Sequence, residues 1–176
     1  MHLQCRRSMR GKMIVSLESW EYEHGCNVGI RRYTANWSRP DAAHYSNKAM
    51  QEDNRTAQVA SALLELAVAK HTNRFWSGHV WHWSEHQQFK HIADVGRNIE
   101  VRRLRTRDSA AIRRYQNAIP DLVVCVGRMI YPELREAELL GWISQQEAWE
   151  IGVPSDYDAD NTKLIHVDQL HKWEGQ

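Results

Sequence analysis

The chain has 176 residues, of which 42% are hydrophobic and 26% charged, and its formal net charge is +1 at pH 7. These values are ordinary for one soluble globular domain, and no apolar run approaches the roughly 20 residues that a bilayer-spanning helix needs. The three cysteines, Cys5, Cys26 and Cys125, include no CxxC pair. They predict neither a disulfide framework nor a cysteine zinc site, and they favour a reducing, cytoplasmic compartment.

Residues 1–12 carry four basic side chains but no apolar stretch of signal-peptide length. We expect them to form a basic, disordered leader, or to precede a true start at Met13, before a single domain over 13–176. Helical spacing predicts a helix over 14–36, and the polar stretch 37–53 reads as a loop. The clearest helix is predicted over 54–71, capped by Asp53 or Asn54 and apolar nearly all round, hence buried.

Strand patterns follow this helix. Alternation predicts strands at 80–83, 92–95 and 99–104, the last two separated by the turn signal Gly96-Arg97-Asn98. A continuous apolar run predicts a buried strand at 122–126. Further strands are predicted at 139–143 and 164–167, with a short helix at 145–149 between them. Helices followed by several strands with few crossovers predict an α+β or α/β fold with a mixed sheet and an added N-terminal helix.

Charge is unevenly distributed along the chain. Seven arginines against two acids lie between Arg97 and Arg114, whereas residues 133–176 carry ten acids and three bases. The basic stretch is typical of a polyanion-binding edge, and Arg97, Arg103, Arg105 and Arg107 are its candidate nucleic-acid contacts. A solvated surface without a binding role is the alternative.

The stretch from Asp94 to Arg102 carries the most specific chemistry. Asp94 ends one predicted strand and Glu100 lies on the next, so a tight turn brings both carboxylates to one end of a hairpin. Two convergent carboxylates suit a hard cation such as Mg²⁺ or Mn²⁺. Glu100 and Arg102 are two residues apart on a strand, and therefore face the same side.

An acid, a turn and then acid-x-basic on the next strand resembles the PD-(D/E)XK nuclease superfamily. The resemblance implies a restriction-endonuclease-like fold, with Asp94 and Glu100 as metal ligands and Arg102 in the place of the catalytic lysine. Ala93 stands where that pattern has proline. Because arginine keeps its proton, we expect Arg102 to stabilise charge and bind phosphate, with weak or absent cleavage.

The superfamily resemblance also implies a third acid from the helix before the first strand, and Glu65 has that position. Its helical neighbours are apolar or small, so a buried Glu65 carboxylate needs a partner. A metal ion or Arg102 would serve, and the alternative is a structural glutamate paired with any basic group.

More narrowly, the chain resembles a family of small, uncharacterised phage and prophage proteins. The landmarks run in order through most of residues 14–170: Ile14-Val15-Ser16-Leu17 with Trp20-Glu21, Val28-Gly29-Ile30-Arg31-Arg32, Glu65-Leu66-Ala67-Val68-Ala69-Lys70, Trp76-Ser77-Gly78, Ala93-Asp94-Val95-Gly96 with Glu100-Val101-Arg102, and Gly141-Trp142-Ile143. The resemblance implies a phage origin and the host cytoplasm.

Other clusters offer competing interpretations. Four histidines at 79, 82, 86 and 91 would suit zinc if their segment were helical. Three tryptophans at 76, 81 and 83 either stack on exposed bases or, as we favour, pack in the protein. The pair Pro120-Asp121 also spells "PD", but no acid-x-basic strand follows it, so Asp121 is interpreted as a strand-start residue.

Two function classes remain open from the sequence. The first is a metal-dependent nuclease, or a nuclease-derived DNA-binding phage protein, with Glu65, Asp94, Glu100 and Arg102 at its site and Mg²⁺ or Mn²⁺ as cofactor. The alternative is a catalytically inactive phage protein that acts through protein contacts. The form of the nucleic acid and the oligomeric state are not readable from the sequence.

Overall fold

The structure is a computed structural model that describes residues 12–37, 46–47, 52–85, 91–114 and 119–173. Its helices are α1 (Ser19–Asn36), α2 (Asn54–Thr72) and α3 (Gln145–Ile151). Its strands are β1 (Met13–Ser16), β2 (Ser46–Asn47), β3 (Glu52–Asp53), β4 (Ile99–Arg103), β5 (Ser109–Arg113), β6 (Val123–Met129), β7 (Glu136–Ser144), β8 (Val153–Pro154) and β9 (Thr162–His166). The leader predicted over 1–12 lies almost wholly outside the described residues.

The main sheet is mixed and has the order β1-β7-β6-β4. Its first two pairings are antiparallel, whereas β4 runs parallel to β6, with Glu100 opposite Val124 and Arg102 opposite Val126. A smaller antiparallel sheet has the order β5-β9-β8, and β2 pairs with β3. The predicted α+β class with a mixed sheet is therefore confirmed.

Two hydrophobic clusters cover the two faces of the main sheet. On one face, Leu63 and Leu64 of α2 pack in one cluster with Val101 and Cys125. On the other face, Val124 and Val126 join Ile112, Ile143 and Ile165. The fold is thus layered, with α1 and α2 on one side of the main sheet and the smaller sheet on the other. Strand β4 forms an outer edge of the main sheet.

Helix α2 forms as its sequence predicts. Asp53 is its N-cap, and the carboxylate accepts a hydrogen bond from the Thr56 N–H at 2.8 Å. Asn73 ends the helix in the left-handed conformation, with a φ of 50°. The buried residues spread around most of the helix, and Glu65 is the charged residue among them.

Three local predictions are wrong. Residues 13–16 form β1 rather than the first turn of α1, because Ile14 and Val15 pair with β7. No strand forms at 80–83, where the Glu85 N–H donates to the His82 carbonyl at 2.9 Å in a short turn. The strand predicted at 92–95 is reduced to an isolated bridge at Val95.

Within 37–53, predicted as a loop, the structure describes Trp37 and the short strands β2 and β3, and the rest lies outside the described residues. The predictions for α3, β6 and β7 are confirmed, as is β9 within two residues, while β5 and β8 had no sequence prediction.

Candidate functional site

The candidate site begins at the turn that leads into β4. Val95 and Ile99 exchange backbone hydrogen bonds of 3.0 and 3.1 Å around this turn. Gly96 has a φ of +58°, which favours glycine, and its N–H donates to the Phe75 carbonyl at 2.7 Å. The turn is therefore anchored both to β4 and to the segment that follows α2.

Asp94 occupies the free edge of β4. Its carboxylate accepts a hydrogen bond from the Val101 N–H at 2.8 Å, in the place where a neighbouring strand would offer a carbonyl. This contact explains why residues 92–95 do not pair with β4 as a strand, because the Asp94 side chain already accepts the hydrogen bond of the Val101 N–H. It also fixes the position of one carboxylate oxygen.

Glu65 lies in the middle of α2 and is buried. Its two oxygens accept hydrogen bonds from the Arg32 guanidinium of α1 at 2.6 and 2.8 Å, and the Trp76 indole N–H donates to one of them at 3.1 Å. Arg32 also donates to the His79 carbonyl at 2.9 Å. The partner of Glu65 is therefore Arg32, not the expected Arg102, and the alternative of a glutamate paired with a basic group describes this contact.

Glu100 and Arg102 face the same side of β4, as strand alternation predicts, and their side chains form a direct ion pair. Both are partly exposed, at 21% for Glu100 and 28% for Arg102. Their face carries the second hydrophobic cluster, because their neighbours Val124 and Val126 on β6 belong to it. Arg102 is thus engaged with the carboxylate that the sequence assigns to a metal ion.

The charges of these groups converge on Asp94. Burial first, and then the neighbouring carboxylates Glu65 and Glu100, raise the pKa of Asp94 to about 8, although the Val101 N–H and Arg102 lower it in part. Glu65 and Glu100 therefore each lie within electrostatic range of Asp94. Asp94 has no salt bridge to any of the residues that the structure describes.

The pKa of Arg32 responds to two of the same carboxylates, Glu65 and Asp94. Burial lowers the pKa of its guanidinium, but Glu65 and then Asp94 raise it more, so the net direction is upward. The nearby His79 has its pKa lowered to about 4, chiefly by burial and then by Arg32, so its imidazole is neutral at pH 7. Arg32 is consequently the fixed cation that balances Glu65.

The oxygen donors suit a hard cation in chemistry but are not gathered around one point. Within the described ranges, no three histidine, cysteine, aspartate or glutamate side chains are arranged to hold a metal ion. The reason is visible in the contacts, because Glu65 is turned to Arg32 and Glu100 to Arg102. A cation at Asp94 and Glu100 requires Arg102 to leave Glu100.

The expected basic edge is only partly available. Arg97 and Arg107 are exposed. Arg103 is instead buried, with 5% of its side chain exposed, and it pairs with the fully buried Glu52 at 2.7 Å. Arg105 also contacts Glu52, at 3.3 Å, with a third of its side chain exposed. The burial removes Arg103 from the set that can contact phosphate.

The structure describes contacts for some of the tryptophans and histidines in the competing clusters. Trp76 packs against the first hydrophobic cluster and holds Glu65, which agrees with the packing interpretation. Trp81 stacks on His79 with ring centroids 3.9 Å apart. His86 lies outside the described residues. Asp121 lies in an exposed turn before β6, where its carbonyl accepts a hydrogen bond from Asn98 at 2.7 Å.

Arg32 is the site residue that sequence reasoning did not single out. A signal for it exists, because Gly25, Val28, Gly29 and Arg32 follow the spacing of one helix face; the first three are buried, with Gly25 and Gly29 lying against α2. A buried Glu65 requires a cation, and Arg32 is the arginine that follows this spacing along α1. The pairing itself joins residues 33 positions apart.

No family model matches the chain, and neither a curated protein nor a solved structure shows significant similarity to it. Among the residues that the structure describes, no helix is both long and apolar enough to cross a membrane.

Proposed function

We propose that this protein is a nuclease-like phage protein of the restriction-endonuclease-like type that acts on, or binds, the backbone of nucleic acid at the β4 edge. The observation that carries the proposal is the crowding of Glu65 and Glu100 around Asp94, with Arg102 beside Glu100. Such crowding of carboxylates next to a cation is what a phosphodiester site with a divalent ion requires.

The chain's own residues divide the work as follows. Asp94 and Glu100 would hold Mg²⁺ or Mn²⁺, and the contact with Arg32 keeps the Glu65 carboxylate in a fixed position near Asp94. Arg102 supplies a permanent positive charge. Its guanidinium would leave Glu100 and bind a phosphate oxygen of the substrate instead. When bound, the cation supplies an acidified water and neutralises charge on the phosphodiester.

A second candidate function, binding without cleavage, is favoured by the two arginine–carboxylate pairs. Each pair lowers the negative charge that would attract a cation, and arginine at position 102 cannot accept a proton from water. In this case the same edge binds phosphates, and the ion has at most a minor role. The protein-contact alternative shares the fold but requires neither nucleic acid nor metal.

The test is a cleavage and binding assay on plasmid and single-stranded DNA with Mg²⁺, Mn²⁺ and EDTA in parallel. We expect binding at low salt, with weak or absent cleavage that EDTA removes completely. Arg102→Ala should weaken binding by about 10-fold, as for the loss of a charge-assisted contact worth about 1.5 kcal/mol, and remove any cleavage. Arg102→Lys should preserve binding and raise cleavage if metal binds.

Asp94→Asn combined with Glu100→Gln should abolish Mn²⁺ binding in calorimetry. The matched control is Asp156→Asn, which removes one exposed carboxylate from the loop between β8 and β9. If wild type cleaves rapidly and Arg102→Ala cleaves equally well, the site assignment is wrong. If no nucleic acid binds at low salt, both the nuclease and the binding proposals fail.

A further inference from the structure

An exposed aromatic residue, Phe75, lies next to the candidate site, and its side chain takes no part in the contacts described above. Phe75 is 77% exposed, although an exposed phenyl ring of this size gains nothing from water. Its neighbour Trp76 points inward to Glu65, so the chain alternation that buries Trp76 turns Phe75 outward. The exposure is therefore imposed by the same segment that builds the site.

The backbone of Phe75 is held firmly. Trp76 forms an isolated antiparallel bridge with Val95, and the Phe75 carbonyl accepts the Gly96 N–H at 2.7 Å. Phe75 thus lies opposite Gly96, and Gly96 is two residues along the turn from Asp94. The backbone of Phe75 is therefore held against the turn that carries Asp94.

Two exposed arginines, Arg74 and Arg97, adjoin Phe75 and Gly96 in the sequence. The aliphatic part of Arg74 lies beside Gly96, since a Cβ placed on that glycine would be 3.5 Å from the Arg74 Cβ. Arg97 follows Gly96 directly, and both arginines are exposed. Within the described part of the chain neither forms a salt bridge. An exposed aromatic ring on a surface that also carries two exposed arginines can offer a base a stacking face and its phosphates positive charge.

We infer that Phe75, Arg74 and Arg97 form a stacking platform for an unpaired nucleotide, and that the substrate class of the site is single-stranded nucleic acid. The inference rests on the proposed function. In a duplex the bases are paired and stacked on each other, so their faces are closed to Phe75. In a single strand the base face is free to stack on the ring while the two arginines contact the backbone.

The test compares a fluorescent oligothymidylate with a duplex of the same length, using the full chain at low salt with EDTA present. Phe75→Ala should weaken binding of the single strand by about 5- to 150-fold, the range measured for the loss of one base–aromatic stack, and leave duplex binding within 2-fold. Phe75→Trp should restore binding, whereas Phe75→Leu, which keeps apolar bulk without a π face, should not.

The matched control is Tyr157→Ala, because Tyr157 is even more exposed, at 94%, but lies between Asp156 and Asp158. This variant should bind like wild type. If wild type binds nucleic acid and Phe75→Ala binds the single strand unchanged, the platform is refuted while the proposed function stands. Equal restoration by leucine and tryptophan also refutes stacking. If wild type binds neither probe, the proposed function itself fails.

Discussion

Asp94 differs from an ordinary aspartate in its proton affinity. Its carboxylate is withdrawn from water at the β4 edge and crowded by Glu65 and Glu100, so its pKa rises from 3.8 to about 8. At pH 7 the folded protein therefore keeps a proton on Asp94, whereas the unfolded chain has released it. Arg102 opposes this effect only in part, because its guanidinium is engaged with Glu100.

This difference predicts how stability depends on pH. Between pH 4 and pH 8 the folded state binds the extra proton, so Asp94 makes the free energy of unfolding fall as pH rises, by at most about 1.4 kcal/mol per pH unit. Above pH 8 the contribution is lost. Asp94→Asn, which stays neutral and can still accept from the Val101 N–H, should flatten this part of the profile.

Urea denaturation of wild type and Asp94→Asn from pH 4 to pH 9 measures the difference directly. Asp156→Asn serves as the control for the removal of an ordinary exposed carboxylate. Parallel profiles for wild type and Asp94→Asn would show that Asp94 ionises normally in the folded protein.

At the level of elements, the site depends on how closely α1 approaches α2. Gly29 of α1 lies against the α2 backbone, where an added Cβ would be 2.4 Å from the Val59 Cα and 2.8 Å from its nitrogen. Backbone atoms cannot move aside individually, so only glycine permits this approach. One turn further along α1, Arg32 reaches Glu65, and the ion pair therefore requires the close helix contact.

We predict that Gly29→Ala lowers the free energy of unfolding by about 3 kcal/mol, near the upper end of the usual cost of overpacking. Gly25→Ala should cost less, because its added Cβ would meet the end of the Leu63 side chain, which can shift. Asn27→Ala, at an exposed position of the same helix, should be neutral or slightly stabilising.

Thermal and urea unfolding of the three variants establish the order. Equal stability of Gly29→Ala and Asn27→Ala would mean that the two helices are not in contact at Gly29. The same samples report on the site, since displacement of α1 should also weaken nucleic-acid binding through Arg32 and Glu65.

Over the whole molecule, charge is separated more sharply than the net value of +1 indicates. The arginine-rich stretch runs from the turn before β4 to the end of β5, whereas the acidic C-terminal part contains β7, α3, β8, β9 and the loops between them. Part of the arginine excess is neutralised internally, since Arg103 and Arg105 share the buried Glu52. The exposed remainder is what can attract a polyanion.

Binding of nucleic acid should therefore weaken as salt rises, because each phosphate contact releases counterions. Replacing Arg97 and Arg107 together by glutamine should reduce the slope of log K against log salt by about 1.5, which corresponds to two lost phosphate contacts. The control is Arg31→Gln with Arg55→Gln, two exposed arginines of the helices. If the two double variants show identical slopes, nucleic acid does not contact the β4 edge.

The sequence by itself determined those features whose causes lie within a few residues. The Asp53 cap and strong helix formers specify α2, a continuous apolar run specifies β6, and strand alternation places Glu100 and Arg102 on one face. Each of these signals is local, so it can be read without knowing what packs against the element. The turn at Gly96 is of the same kind.

Only the tertiary structure decided which groups meet. Glu65 binds Arg32 across 33 residues, Arg103 reaches Glu52 across more than 50, and Asp94 replaces a strand partner at the edge of β4. A buried charge demands a partner of opposite sign, but the sequence contains several candidates for each and does not rank them. The choice is made by packing, since the close contact at Gly29 and the parallel register of β4 with β6 fix which side chains come within reach.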